Sequence, residues 1–159
     1  MDSSFLIVGW KEWIELPELG VHGIKAKIDT GAATSSVHAY DIKYVRHNGE
    51  MYVKYCLHPI QKSKKISIPC LSKLIDERKV RSSSGQMELR PVVRTILKIS
   101  NFQWEIDLNL TNRDSMGMRM LIGREALETK ALVNPAHKFL LGKKSKEAIL
   151  KLYRTANKK

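Results

Sequence analysis

The sequence predicts a mainly β domain, built as a barrel or a sandwich. Apolar residues recur at period two in several short runs, the signature of half-buried strands. Two pairs of those runs meet at tight-turn signals, Asn48-Gly49 and Ser100-Asn101. The runs follow one another at regular spacing with little helical periodicity between them.

Taken in order, residues 9–16 alternate weakly, and Pro17-Glu18-Leu19-Gly20 punctuates them. Residues 24–28 alternate apolar and basic side chains, as a half-buried strand does, and residues 36–39 read as extended. Ile42, Tyr44 and Arg46 precede Asn48-Gly49, with Met51, Val53, Tyr55 and Leu57 following at period two. Asn-Gly supplies the positive φ angles of a two-residue hairpin turn. Residues 66–70 predict another short strand, the charged stretch 71–81 a helical turn or loop, and Ser82-Ser83-Ser84-Gly85 a turn. Residues 92–99 and 102–110 predict a second hairpin, with strict alternation of Trp104, Ile106, Leu108 and Leu110. An apolar run at 118–122 ends at Gly123, a short helix is expected at 125–129, and a strand at 131–133 stops before Pro135. Residues 143–155 suit a helix with Ala148, Ile149, Leu150 and Tyr153 on or near one face. The expected division is a body over 1–137 and a basic C-terminal tail over 138–159.

A chain of 159 residues, 43% hydrophobic and 28% charged, is one domain with an ordinary core. No run approaches the roughly 18 apolar residues of a membrane-spanning helix. The apolar run at 5–8 is too short for a signal peptide's core, so a cytoplasmic location is expected. Cys56 and Cys70 do not form a disulfide framework. The net charge is +12, and residues 138–159 hold eight lysines and arginines against Glu147 alone. Such a segment attracts anionic partners, or is a solvated tail that aids solubility.

The segment that carries chemistry is Ile28-Asp29-Thr30-Gly31-Ala32-Ala33. An acidic residue follows an apolar strand at the lip of a turn. Thr30 offers a hydroxyl, Gly31 leaves peptide N–H groups open to the carboxylate, and Ala32 is small enough for a substrate backbone to approach. Alone, this pattern also fits an ordinary strand-to-turn Asp. A second segment lies about 90 residues downstream, Met120-Leu121-Ile122-Gly123-Arg124-Glu125-Ala126-Leu127, an apolar strand running through Gly into a short helix.

With these two segments in this order, the chain resembles the retropepsins, single-domain aspartic proteases of retroviral type, over roughly residues 10–135. Val80-Arg81-Ser82-Ser83-Ser84-Gly85 and Arg90-Pro91-Val92-Val93 are similar to a bacterial, RimB-type branch of that fold. Its members carry the name ATP-dependent zinc protease and are associated with RimK-type ATP-grasp ligases. The resemblance implies a closed barrel with one short helix after Gly123 and Asp29 as the catalytic carboxylate. It implies that Thr30 braces a pair of such motifs, that Gly31 and Ala32 complete the motif, that Leu121, Ile122 and Gly123 thread behind it, and that Arg124 buttresses the core. Retroviral enzymes carry an acid where this chain has Ala33, so Arg124 is expected to pair with Glu125 or with a second chain. Ser82, Ser83, Ser84 and Gly85 are the flap candidates.

Aspartic proteolysis needs two carboxylates around one water, because like charges held close keep one acid protonated while the other ionises. Asp41, Asp107 and Asp114 are not followed by Thr-Gly or Ser-Gly. A homodimer with one Asp29 from each chain is therefore expected. The expected reaction is hydrolysis of a peptide or amide bond, and the positive charge favours an acidic substrate such as a glutamate-extended polypeptide. The alternative is a non-catalytic binding or regulatory module working with an ATP-grasp ligase. His-Glu-x-x-His is absent, and Cys56, His58 and Cys70 fall short of the usual four zinc ligands, so no metal is expected. No Walker-type loop appears, so no nucleotide or other cofactor is expected on this chain. Trp10, Trp13 and Trp104 read as core or interface residues, and nucleic acid is not the expected partner.

Overall fold

The computed structural model describes residues 4–82, 84–112 and 117–157, without the Asn157 side chain, so that Ser83 and Asp114 lie outside the described residues. The strands are β1 (Leu6–Val8), β2 (Lys11–Leu16), β3 (Val21–Asp29), β4 (Ser35–His47), β5 (Glu50–Leu57), β6 (Ile68–Lys73), β7 (Asp76–Arg81), β8 (Met87–Ile99), β9 (Phe102–Thr111), β10 (Met120–Gly123) and β11 (Ala131–Val133). Two helices, α1 (Arg124–Leu127) and α2 (Lys146–Asn157), complete the chain. The protein is mainly β and the sheet closes on itself. Strands run β10–β3–β2–β8–β9–β4, and β10 pairs again with β4 to shut the ring. Of the barrel or sandwich that the strand pattern allows, the chain forms the closed barrel that the retropepsin resemblance implies.

The hairpins fall where their turn residues put them. Asn48 and Gly49 take φ of 52° and 79° between β4 and β5, and Ser100 takes φ of 54° between β8 and β9. Strand β4 is longer than expected because it has two tasks. Its first residues lie in the barrel against β9 and β10; after a register shift between Tyr40 and Lys43, with Asp41 at φ 52°, the rest projects as a hairpin with β5.

The stretch 71–81 departs from the expected helical turn or loop. Strand β6 continues to Lys73, and β7 pairs with β8 from Asp76↔Val92 to Arg81↔Met87. Both faces of β7 are rich in charge, so its sequence lacks the alternation that marks a strand. Pro91 is tolerated in β8 because pairing with β9 begins only at Val92, leaving β8 bonded on one side there.

The core lies inside the ring, among side chains such as Ile14, Leu16, Ile24, Val93, Leu97, Leu108, Leu110 and Ile122. The basic tail is not wholly solvated. Residues 137–141 run beside β2, where the fully buried Glu12 carboxylate accepts the N–H groups of Gly9, Leu140 and Leu141 at 2.7, 3.0 and 3.2 Å. Helix α2 buries Ile149 and Tyr153 against β3. The Tyr153 hydroxyl donates to Gly23 O at 2.9 Å and accepts from the N–H groups of His22 and Gly23. A β-carbon at Gly23 would fall 2.5 Å from Ile149 Cδ1, so the absent side chain lets the helix lie close.

Candidate active site

Asp29 is the last residue of β3, half-buried, with Thr30 and Gly31 exposed beyond it. The turn holds its carboxylate in place. Gly31 N–H donates to Asp29 Oδ1 at 3.0 Å, and Ala32 N–H donates to the Asp29 carbonyl at 3.2 Å. A β-carbon on Gly31 would stand 3.2 Å from that same Oδ1. The motif thus holds one carboxylate oxygen by a backbone N–H.

Strand β10 threads between β3 and β4 directly behind this turn. Its parallel register with β3 ends at Gly123↔Asp29, and Leu121 and Ile122 are buried. Gly123 N–H donates to Ser35 Oγ at 3.1 Å, while Arg124 and Glu125 donate their N–H groups to the carbonyls of Ala32 and Ala33 at 2.8 and 3.1 Å. Only glycine fits at the crossing. A β-carbon on Gly123 would lie 2.8 Å from Ala33 O, 2.8 Å from Thr34 C and 2.9 Å from Ala32 O. The start of α1 and the Asp29 turn are therefore one interlocked unit.

Arg124 does not pair with Glu125. It is exposed, and its guanidinium reaches the carbonyls of Gly31 and Thr30 at 3.3 and 3.5 Å, bracing the motif through its backbone. Glu125 is engaged elsewhere: Thr34 Oγ1 donates to it at 3.2 Å and Arg78 stands 3.7 Å away. Arg78, on β7, is the residue that sequence reasoning missed. Its guanidinium also donates to Thr34 Oγ1 at 2.9 Å, to Asp76 at 3.0 Å and to Asp107 at 3.2 Å. Hydrogen bonding to Asp76, then to Asp107, holds Arg78 further above its ordinary range, and the Arg78 hydrogen bond in turn lowers Asp76. Arg94 shares Asp107 at 2.9 Å. A cleft of about 270 Å³ opens beside α1, lined by Arg94, Asp107 and Glu125 among others; Asp29 is not in its wall.

Ser82, Ser84 and Gly85 sit at the tip of the β7–β8 hairpin. Ser82 N–H donates to Gln86 O, Gly85 N–H to Ser82 O, and Arg81 Nη1 to Gly85 O at 2.8 Å, with Gly85 at φ 89°. Arg78 ties this hairpin to Thr34, in the turn that follows Asp29. Cys70 is buried, its thiol aimed at the carbonyls of Leu19 and Ile68, and burial pushes it up to about 12. A thiol that keeps its proton is a poor metal ligand. His58 stacks on Tyr40 with ring centres 4.2 Å apart. No cluster of three or more His, Cys, Asp or Glu side chains suited to a metal occurs among the described residues.

Residues 7–144 match the family described as the RimB-like, retropepsin-like aspartic endopeptidase RimB. The chain belongs to the RimB-like family. Among its relatives are proteins named probable alpha-L-glutamate ligase from Shewanella halifaxensis and Desulfotalea psychrophila. They are 46% and 44% identical over 153 and 152 residues, each alignment covering 96% of this chain and 33% of the relative. The chain thus spans about a third of the length of these curated relatives. A protein of unknown function from Legionella pneumophila has a similar crystal structure, at a TM-score of 0.73 and 27% identity, covering 87% of this chain and 99% of the other. The RimB-like barrel therefore occurs both as nearly a whole solved chain and as a third of larger proteins.

Proposed function

We propose that this RimB-like protein is an aspartic-type peptidase whose active site forms where two Asp29 carboxylates meet across a homodimer. The carrying observation is the lock around Asp29: register with Gly123, a Gly31 N–H on one oxygen, and Arg124 bracing the carbonyls behind it. That much machinery on one small turn is costly unless the position of the carboxylate matters.

In the proposed reaction one carboxylate is ionised and the other protonated. The first takes a proton from a water held between them, and the resulting hydroxide attacks the substrate carbonyl carbon. The second gives its proton to the carbonyl oxygen. Collapse of the tetrahedral intermediate breaks the C–N bond: the proton on the first carboxyl passes to the leaving nitrogen, and a hydroxyl of the intermediate returns a proton to the second carboxylate, restoring the one-proton pair. Among the described residues no neighbouring carboxylate bonds to Asp29, and in this reading the second acid is the Asp29 of another copy. The two-stranded sheet of β1 and β11 supports such an association. Ile7 and Leu132 pair in register on it with 45% and 53% of their surfaces exposed, and among the described residues no further strand pairs with either outer edge. The β7–β8 hairpin, with Ser82, Ser84 and Gly85 at its tip, would serve as the flap.

The substrate is proposed to be an acidic polypeptide, a glutamate-extended one being favoured by the +12 charge and by the relatives named as probable alpha-L-glutamate ligases. The proposed setting is the cytoplasm; no described helix is long and apolar enough to cross a membrane. Incubation of purified protein with acidic and neutral peptide libraries tests the reading. Cleavage that disappears in Asp29→Asn supports it; cleavage undiminished by that change, or none at any pH, rejects it. A second reading, a regulatory module for an ATP-grasp glutamate ligase, is favoured by the relatives in which this region is a third of a probable ligase. Ligase binding without peptide cleavage would select it.

A further inference from the structure

Alternation along β3 places Lys25, Lys27 and Asp29 on one face, while Ile24, Ala26 and Ile28 point into the core. Strand β2 adds to the same face, because Lys11 lies directly opposite Lys27 and Trp13 directly opposite Lys25. Two lysines placed face to face across a ladder repel each other and weaken the sheet. Lys138 crowds the same place: after burial, its charge and that of Lys25 lower Lys11. Aromatic rings lie under these ammonium groups, with Lys25 Nζ 5.5 Å from the Trp13 ring centre and Lys11 Nζ 5.0 Å from that of Trp10. Among the described residues none of these lysines has a carboxylate within ion-pairing distance. Among the described residues the cationic row thus has no ion-paired counter-charge, and its last member stands two residues from Asp29. Two residues of strand span about 6.6 Å, close to the spacing of alternate side chains along an extended peptide.

We infer that Lys27, backed by Lys11 across the strand pair, is a specificity-determining residue that receives the side-chain carboxylate of an acidic residue flanking the bond cut at Asp29. The inference rests on the peptidase reading above. A two-fold dimer carries one Lys27 on each side of the scissile bond, so the favoured bond is one with an acidic residue on both sides. Interior bonds of an oligoglutamate stretch meet that condition; the junction between such a stretch and an unrelated sequence does not.

The test compares two fluorogenic peptides, one with Glu-Glu and one with Gln-Gln at the scissile position, against wild type, Lys27→Met and Lys27→Arg. Wild type should favour the Glu peptide by about tenfold or more in kcat/KM, the scale of a charge-assisted hydrogen bond. In Lys27→Met the preference should fall below about threefold through loss on the Glu peptide alone, and Lys27→Arg should restore it. A parallel arm measures binding of a labelled oligoglutamate peptide to Asp29→Asn, with and without Lys27→Met; weakening by about fivefold or more is expected. Lys27 is exposed, so thermal midpoints should match and fold loss is not a confounder. An unchanged Glu-to-Gln ratio together with unchanged binding overturns the assignment. If wild type cuts neither peptide, the peptidase reading fails and the binding arm judges the lysine row independently.

Discussion

Replacing Gly123 with alanine adds one carbon at the crossing of β10 and the Asp29 turn. That carbon would stand 2.8–2.9 Å from three backbone atoms of residues 32–34, well inside an ordinary carbon contact of about 3.5 Å. None of the three belongs to a flexible side chain, so the turn itself must move. Overpacking of this kind costs about 1–3 kcal/mol. Moving the turn also strains the bonds from Arg124 and Glu125 to the carbonyls of Ala32 and Ala33, each contributing about 1 kcal/mol. The gain from a stiffer unfolded chain is only about 0.4–1 kcal/mol. The net prediction is a destabilisation of about 3 kcal/mol. Urea unfolding followed by tryptophan fluorescence measures it, since Trp104 Nε1 donates to Ala126 O at 2.8 Å and reports on the helix start. The proposed peptidase activity should be low even where the variant is fully folded, because moving the turn disturbs the setting of Asp29. A variant within about 0.5 kcal/mol of wild type would refute the interlock between β10 and the Asp29 turn.

Other outcomes follow from the same structure. Glu12→Ala leaves the N–H groups of Gly9, Leu140 and Leu141 without their acceptor and should lower stability by about 3 kcal/mol in chemical unfolding, with Glu12→Gln costing less because one oxygen remains. Burial raises the Tyr153 hydroxyl from 10.0 to about 12. The folded state therefore holds a proton that the unfolded chain releases, and its stability contribution is full below pH 10 and lost as pH rises through about 12. Tyr153→Phe should make that part of the alkaline stability profile less steep, leaving the share of Tyr44 and Tyr55, which burial also raises. Cleavage of glutamate-rich peptides should slow as salt is raised, because exposed lysines act through a screened field; a rate independent of ionic strength would contradict the proposed substrate class.

The legible parts of the fold were those encoded locally. Asn48-Gly49 set its own φ angles, and Trp104 through Leu110 alternated without interruption, so both hairpins could be read from residue type. Strand β7 could not, because its Arg78 is satisfied by Asp107, Thr34 and Glu125, residues that the barrel alone brings near. The same holds for Arg124, whose partners are backbone carbonyls with no sequence signature. The Asp29 turn was visible because Asp-Thr-Gly is contiguous. The basic alternation at residues 24–28 was visible too, but its meaning needed the register that sets Lys11 against Lys27. In the C-terminal segment, Ile149 and Tyr153 were legible as part of a helical face, whereas the close approach allowed by Gly23 was not.

Subunit mixing tests the central claim most directly. Wild type and Asp29→Asn are mixed in equal amounts, allowed to exchange subunits fully, and assayed against the wild type at the same total concentration. If each active site needs an Asp29 from both chains, only wild-type pairs are active and about a quarter of the activity remains. About half would remain if each chain works alone, and that result would contradict the shared site.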